Sequence, residues 1–480
     1  MLEGVFMAKR KVNNKNRKSI KRNVEITTIK KEKDKSFIPY YFLIAGIGLI
    51  IFGLFYGIKV LNPSYTAWMF AASGDLPQHY VGWEAFRVGA WNFPLGLTDV
   101  VSYPMDVSVI YTDSIPILAI FFKLISFMLP KTFQYIGFYG LICFILQAVL
   151  SAKIIKKYTK SKLNIVLGSV LFMIIPSMIF RMFYHTALAS QWLILLALET
   201  LFLYDEFNED NKIYYIWAII PFLVVTVHFY YIVMCGIILI GYILLDILNT
   251  KKIKKSLILL LIYLGVALFT MWLFGGFTNL TYNDIFGFGL FSYNLNGLIN
   301  PQGWSFILND LPMIPEQYEG FSYLGLGVIL LVLISIVLLV IWFIKDKGIL
   351  KKHINLMISL FLVSLLSVFV AMSPRAYVGE YLLYDLKLPS FINEFWGIFR
   401  STGRFIWPVI HILMLFGVII VVKRLNWKVS FIILSLCILV QIIDIGGILV
   451  EKNEIYSLNY LINEEYDLYK SDNEWSIIKR

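Results

Sequence analysis

Long runs of apolar residues alternate along the chain with short polar or basic segments. A run of about 20 apolar residues is long enough to cross the hydrocarbon core of a bilayer as an α-helix. The pattern therefore predicts about eleven membrane-spanning helices. They lie near residues 38–61, 133–152, 163–182, 186–203, 213–227, 229–248, 256–275, 323–344, 354–371, 404–422 and 428–449.

The apolar stretch 114–129 is the exception to this pattern. It is short, begins with Ser-Ile-Pro and carries Lys123 near its middle. If it crossed the membrane, the basic run at residues 153–162 would lie outside, against the positive-inside rule. We therefore expect an interfacial or re-entrant helix here.

Composition supports the membrane assignment. Of 480 residues, 59% are hydrophobic and 15% are charged, and the mean hydropathy is +0.74. Soluble domains carry about 25% charged residues, so an ordinary soluble enzyme is excluded. Three cysteines lie in apolar runs without metal-ligand spacing, which argues against a disulfide framework or a cysteine-based zinc site. We predict an all-α polytopic membrane domain over residues 37–450.

Charge sets the expected orientation. The net charge is +11, and residues 1–36 hold twelve Lys or Arg against four acids. Beside a spanning segment, such a tail indicates a cytoplasmic anchor on anionic membrane lipid rather than a nucleic-acid partner. Residues 62–113 contain one basic residue and five acids, and are predicted to lie outside. Counting spans then places the acidic tail 451–480 outside the cell membrane.

Three predicted external segments are too long to be simple connectors. They cover residues 62–132, 276–322 and 372–403. Long loops are often functional, and the first should contain juxtamembrane helices. No nucleotide-binding Gly-x-x-x-x-Gly-Lys loop, dinucleotide fingerprint or Gly-x-Ser-x-Gly elbow occurs in the sequence.

Two acids in the first external loop are candidates for chemistry. Asp75 stands just before a predicted helix from Leu76 to Trp91, with His79 one turn on, and Asp113 precedes a predicted helix near residues 114–116. Each aspartate could be a general base or simply a helix N-cap. If the loop folds back, Asp75 and Asp113 could hold a divalent cation such as Mg²⁺ or Mn²⁺ together with phosphate oxygens. His79 could orient substrate or a metal, or form an ordinary hydrogen bond.

Basic and aromatic residues complete the candidate set. Arg400 and Arg404 lie four residues apart at the predicted outer mouth of a span, where guanidinium groups bind phosphate well or snorkel at the interface. Ionisable residues at span ends suggest a polar, outward-facing cavity. Such ionisable candidates are Arg181, His185 and His228. In the loop 276–322, Glu319 and Trp304 are candidate contacts for a sugar or an acceptor.

Four motifs carry a resemblance to a known superfamily. They are Gly-Asp-Leu-Pro-Gln-His-Tyr-Val-Gly-Trp from residue 74, Tyr-Thr-Asp-Ser-Ile-Pro-Ile-Leu-Ala from residue 111, His-Phe-Tyr-Tyr from residue 228 and Phe-Arg-Ser-Thr-Gly-Arg-Phe-Ile-Trp-Pro from residue 399. Together with the large first external loop, they resemble the GT-C polytopic glycosyltransferase superfamily, through a group of bacterial membrane proteins placed near it. The similarity spans most of residues 38–449.

The resemblance implies a GT-C-like fold and a reaction. Members transfer a sugar from a polyprenyl-phosphate carrier on the outer face of the membrane, without a nucleotide. The base of those enzymes matches Asp75 by position, and their phosphate-holding arginines match Arg400 or Arg404. Many members have two nearly adjacent acids in the first loop, whereas Asp75 has no acidic neighbour, which leaves metal use open.

The resulting expectation is an inverting glycosyltransferase. Its partners would be a polyprenyl-phosphate-linked sugar donor and an envelope glycan, lipid or protein acceptor. The alternatives are a transporter or flippase of lipid-linked glycans and a catalytically inactive assembly partner. Transport predicts functional charges near the bilayer midplane, whereas the candidates here cluster at predicted outer ends.

Overall fold

A computed structural model describes residues 38–71, 74–208, 211–278, 287–345 and 349–458. The chain divides into two compact units, residues 1–47 and 48–480. The described part of the first is the beginning of helix α1, Ile38–Tyr56. All contacts below belong to the second unit. The basic tail 1–36 lies outside the described residues, as does the acidic tail from residue 459 onward.

The described chain is nearly all helical. Among the described residues, seven helices are long and apolar enough to cross a membrane, which supports the membrane-protein class. Four of the eleven predicted spans are represented by shorter apolar helices, so the number eleven remains a prediction. The helices of the remaining apolar runs, long and short, are α5 Ile136–Lys156, α6 Lys162–Met173, α7 Pro176–Arg181, α8 Trp192–Phe202, α10 Lys212–Val227, α11 Tyr230–Thr250, α12 Lys254–Leu273, α13 Leu326–Lys345, α14 Ile349–Met372, α16 Trp407–Arg424 and α17 Trp427–Ser457.

Apolar side chains on the outside of the helices show which surface faces lipid. On α12, Leu257, Leu261, Leu264 and Leu268 follow helical spacing and are 54%, 71%, 49% and 58% exposed. A stripe of that size is unfavourable in water but matches hydrocarbon. The helix is therefore stable in its membrane environment through both internal backbone bonding and lipid contact.

Two breaks in the apolar runs deliver polar groups to the site. The predicted span 163–182 is two helices, because Pro176 lacks an amide hydrogen and disfavours helical geometry at Ile175. The short helix α7 then ends at Arg181. At His228 the backbone is extended, with φ −162° and ψ 124°, so α10 and α11 are separate helices that meet at this residue.

The predicted first external loop, residues 62–132, folds into short elements. They are α2 Ala67–Ala71, α3 Leu76–Val88, β1 Leu97–Ser102, β2 Met105–Ser108 and α4 Pro116–Leu124. Helix α4 has nine residues and reaches only about 14 Å, which is too short to cross a core of about 30 Å. This agrees with the interfacial assignment of 114–129. Lys123 donates to the carbonyl oxygen of Ala90 at 3.0 Å.

The all-α expectation needs one correction. Strands β1 and β2 pair in an antiparallel hairpin, and so do β3 Arg375–Val378 and β4 Tyr381–Asp385. Both hairpins are short and lie in the loops, where alternating side chains and turn residues favour strands over helices. Other connections contain short helices, among them α9 Tyr204–Asn208, α15 Ser390–Gly397 and the 3₁₀ helices Val109–Thr112, which precedes α4, and Pro315–Gly320.

Basic residues gather at the helix ends that lie away from the site. Helix α11 begins just after His228 and is followed by Lys251, and α16 begins just after Arg404 and ends at Arg424. A helix of about 20 residues separates its ends by about 30 Å. The lysine-rich connections and the residues discussed next therefore lie at opposite ends of the same helices.

Candidate functional site

Ion pairs and carboxylate–imidazole contacts, together called the ion-pair network below, join the polar residues that the sequence places in separate loops. These residues come from six segments: the beginning of α3, the turn before α4, the end of α7, the α10–α11 break, the 3₁₀ helix before α13 and the segment before α16. Eight of the ten candidate residues from the sequence take part in these pairs. The pairs connect Asp75, His79, Asp113, Arg181, His185, His228, Glu319 and Arg404.

Asp75 occupies the N-cap position of α3, but its side chain makes no capping hydrogen bond. The carboxylate is 54% exposed, and its Oδ2 lies 3.4 Å from Nδ1 of His185. The start of the helix was therefore predicted correctly, its end is Val88 rather than Trp91, and the capping role of the Asp75 side chain is not observed. A half-exposed carboxylate whose contact in this network is a single imidazole is available to react with a bound molecule.

Asp113 lies deeper, in the turn between a 3₁₀ helix and α4. Its backbone is left-handed, with φ 53°, and α4 begins only at Pro116, so the predicted N-cap role is wrong. The carboxylate instead lies between two imidazoles. Oδ2 is 3.6 Å from Nε2 of His79, and Oδ1 is 3.3 Å from Nε2 of His228.

The two aspartates are close enough to influence each other. Burial raises the pKa of Asp113, Arg404 opposes the rise and Asp75 adds to it, which brings the pKa to about 6. Burial lowers the pKa of His79 to about 4. Burial, reinforced by Arg181 and Arg404, lowers the pKa of His185 to about 2. These imidazoles are consequently neutral at pH 7, with a lone pair on one ring nitrogen each.

His228 has a defined tautomer. Its Nδ1 accepts a hydrogen bond from the backbone N–H of Tyr230 at 3.2 Å. The neutral ring then carries its proton on Nε2, the atom that faces Asp113. His228 therefore orients the carboxylate by holding one of its two oxygens.

Two arginines share a single carboxylate beside the aspartates. Oε2 of Glu319 accepts from Nη2 of Arg181 at 2.7 Å, and from Nη2 and Nε of Arg404 at 2.6 and 3.2 Å. Burial alone would raise the pKa of Glu319, but Arg404 and Arg181 reverse this and lower it to about 2. The trio thus carries a net charge of +1 in a largely buried position.

Arg181 has hydrogen-bond donors that the protein does not use and that a bound molecule could accept. Nε and Nη1 of Arg181 are buried and have no hydrogen-bond partner from the protein. The guanidinium of Arg404 lies over the ring of Tyr230, 4.8 Å from its centroid. A buried cationic pair with spare donors is suited to an anionic group such as a phosphate.

The structure distinguishes the two arginines of the Arg-Ser-Thr-Gly-Arg motif. Arg404 is 7% exposed and lies in the ion-pair network, whereas Arg400 is exposed. Sequence spacing alone favoured neither. Among the described residues, Arg404 is therefore the better placed of the two for anion binding at this site.

Glu319 and Trp304 have different surroundings from those expected. Oε2 of Glu319 is engaged by both arginines, so we assign Glu319 to holding them in place rather than to contacting an acceptor. Trp304 is 9% exposed, and its ring centroid is 4.9 Å from that of Phe321 and 5.9 Å from that of Phe180. Its burial favours packing over sugar contact.

Three residues could hold a metal ion together. One potential ligand atom each from His79, Asp113 and His185 lies within 4.8 Å of the other two. The divalent-cation expectation named Asp75 and Asp113. The geometry retains Asp113 and replaces the second carboxylate with two imidazoles.

A glycine sets the distance between α3 and the Asp113 turn. A Cβ at Gly82 would lie 2.6 Å from Cβ of Thr112 and 2.9 Å from Oγ of Ser114. Ser114 in turn donates to the carbonyl oxygen of His79 at 2.7 Å. Sequence reasoning missed this contact, because a helical glycine gives no signal of what it faces.

We expect Gly82→Ala to destabilise the protein by about 1–3 kcal/mol, because the added methyl group overpacks the turn that carries Asp113. Gly265→Ala is the matched control, since a Cβ there meets nothing within 4 Å. Alanine at that helical position should be neutral or stabilising by up to about 1 kcal/mol. Thermal unfolding of both purified variants in the same detergent tests this; equal destabilisation would contradict the assigned contact.

A comparison with protein families covers this whole region. The model described as Domain of unknown function (DUF6311) matches residues 45–446. The chain belongs to this family. The matched range contains every residue of the ion-pair network. No curated protein and no solved structure matches the chain.

Proposed function

We propose that the protein is a glycosyltransferase that moves a sugar from a polyprenyl-phosphate-linked donor to an envelope glycan, lipid or protein acceptor on the outer face of the membrane. The observation that carries this proposal is that an exposed carboxylate contacts His185, which is also within electrostatic range of a buried arginine pair. Asp75 is 54% exposed, while Arg181 and Arg404 share Glu319 nearby. Base and anion-binding groups are the two functions that this transfer requires.

The proposed reaction uses these groups in one displacement. Asp75 removes the proton from an acceptor hydroxyl, and the hydroxyl oxygen forms a bond to the anomeric carbon of the sugar. The bond from that carbon to the phosphate oxygen breaks, and its electron pair stays on the lipid phosphate. Arg404 and Arg181 stabilise the charge that develops there, which lowers the energy of the transition state.

The charge distribution supports an outward orientation. The site residues and the lysine-rich connections lie at opposite ends of α11 and α16. Under the positive-inside rule the basic ends face the cytoplasm. The site then faces outward, where polyprenyl-linked donors are consumed without nucleotides.

Mass spectrometry of cells tests the reaction class. Envelope glycans and polyprenyl-linked sugars would be compared in wild-type cells, deleted cells and deleted cells that express the protein again. A transferase predicts that deletion removes one sugar from a glycan while its lipid-linked donor accumulates, and that re-expression reverses both changes. If the deleted cells instead hold the accumulated donor only in the inner leaflet, the flippase alternative is favoured, because the missing step is then translocation of the donor rather than sugar transfer.

Arg404→Lys should reduce sugar transfer by about 10²–10³-fold, the usual cost of removing one preorganised donor from a developing anion. Lysine keeps a positive charge for Glu319 but loses the forked guanidinium geometry. Arg400→Lys is the matched control, because Arg400 is exposed. Steady-state transfer by purified variants with equal melting temperatures measures the effect; equal losses in both variants would remove Arg404 from this role.

A further inference from the structure

We propose that His79, His185 and Asp113 form a binding site for one divalent transition-metal ion of the Zn²⁺ type, with His228 as the residue that orients Asp113. The three candidate ligand atoms lie within 4.8 Å of one another. Metal binding itself does not depend on the proposed glycosyl transfer. The use of the ion, described below, does rest on that function.

The spacing of the candidate ligands is close to that of a coordination sphere. Metal–ligand bonds of about 2.0–2.2 Å at tetrahedral angles place neighbouring ligand atoms about 3.4 Å apart. Nε2 of His79 and Oδ2 of Asp113 are 3.6 Å apart. The ring centroids of His79 and His185 are 6.0 Å apart. Small side-chain rotations are enough to bring all three groups onto one ion.

His79 supplies an independent reason to expect a ligand. It is 1% exposed, and neither Nδ1 nor Nε2 has a hydrogen-bond partner from the protein. A buried imidazole without partners is costly, and native structures usually satisfy such groups. An ion between His79 and Asp113 would satisfy the nitrogen that faces the carboxylate.

His228 supports the site from outside it. Its Nδ1 accepts from the N–H of Tyr230, and its Nε2 faces Oδ1 of Asp113 at 3.3 Å. That leaves Oδ2 of Asp113 directed toward His79. Groups that hold a ligating carboxylate in this way typically change metal affinity by 10- to 100-fold.

The donor set selects the class of ion. Two imidazoles and one carboxylate suit Zn²⁺ and neighbouring transition metals, whereas Mg²⁺ and Ca²⁺ prefer oxygen ligands alone. Three protein ligands also leave a coordination position open. On the proposed function, that position would accept an oxygen of the donor phosphate beside Arg404.

Metal analysis of purified protein tests the site directly. The detergent-solubilised protein would be stripped with a chelator, equilibrated with Zn²⁺ and passed through a desalting column before elemental mass spectrometry. We expect about one Zn²⁺ per wild-type chain and loss of this ion in His79→Ala and His185→Ala. His353→Ala is the matched control, since His353 contacts Lys423 at the other end of the helices, and it should keep the ion.

Two further measurements do not depend on whether a ligand variant folds. Titration of His228→Ala with Zn²⁺ should give an affinity about 10–100-fold weaker than wild type. Titration of the stripped wild-type protein with Co²⁺ should produce visible d–d absorption, which excess Zn²⁺ but not excess Mg²⁺ removes. A wild-type protein that binds neither Zn²⁺ nor Co²⁺ saturably would overturn the proposal. Equal Zn²⁺ retention by His79→Ala, His185→Ala and wild type would also overturn it.

The metal result and the transferase result are separable. Zn²⁺ bound at wild-type stoichiometry in a protein whose deletion leaves glycans unchanged would keep the metal site and remove the proposed reaction. Normal sugar transfer by a metal-stripped wild-type protein that binds no Zn²⁺ saturably would keep the proposed reaction and remove the metal site.

Discussion

Asp75→Asn should reduce sugar transfer by about 10²–10⁴-fold and leave the fold unchanged. Asparagine has the same size but cannot accept the proton of an acceptor hydroxyl. The side chain is 54% exposed and makes no capping hydrogen bond, so its charge contributes little to the fold. The measurement is transfer by the purified variant from a lipid-linked donor, with its melting temperature recorded in parallel.

Asp99→Asn is the matched control for this loss. Asp99 belongs to the same external loop, in β1, and lies outside the ion-pair network described here, so we expect transfer close to wild type. Normal turnover by Asp75→Asn would remove Asp75 as the base and, with it, the chemical core of the proposed reaction. A lower melting temperature in Asp75→Asn alone would instead indicate that the carboxylate supports the structure of α3.

The helices could be predicted from the sequence because a helix that crosses the bilayer needs a long apolar run. Apolar runs such as 229–248 and 428–449 correspond to α11 and α17, although their ends differ by several residues. The break of the run 163–182 into two helices was not predicted, because average hydropathy hides the local effect of Pro176. A proline in the middle of an apolar run was the available signal.

Most residues of the candidate site could also be predicted from the sequence, but their arrangement in space could not. Ionisable residues at span ends are rare enough to be noticed, and this identified His185 and His228. Convergence of Asp75 with Asp113 depends on how the first loop folds back, which no local pattern encodes. The same holds for Glu319, whose two arginine partners lie 138 and 85 residues away along the chain.

Burial was the decisive property that sequence spacing could not supply. Arg400 and Arg404 share a motif and a charge, yet only Arg404 is buried against Glu319. Similarly, an aspartate before a helix is a general N-cap signal, and Asp113 fits that signal in sequence while facing His79 and His228 in the fold. Tertiary contacts therefore determine which of two arginines is buried, and whether an aspartate before a helix caps it or faces other side chains.

Glu319→Gln should destabilise the protein by about 3–5 kcal/mol, the typical cost of breaking a buried ion pair by removing one partner. Glu319 is the shared carboxylate of Arg181 and Arg404, whose side chains are 0% and 9% exposed. A neutral glutamine leaves two buried guanidinium groups side by side without the carboxylate that they share. Thermal and denaturant unfolding in a fixed detergent measure the loss.

Asp385→Asn is the matched control for Glu319→Gln. Asp385 also pairs with an arginine, but Arg375 and Asp385 are 41% and 46% exposed, and exposed pairs contribute about 0–1 kcal/mol. The two substitutions therefore remove the same kind of charge in different surroundings. Equal effects would mean that solvent or lipid headgroups already neutralise the arginines at the site, in which case Arg181 and Arg404 would have no unmet demand for the phosphate of a donor.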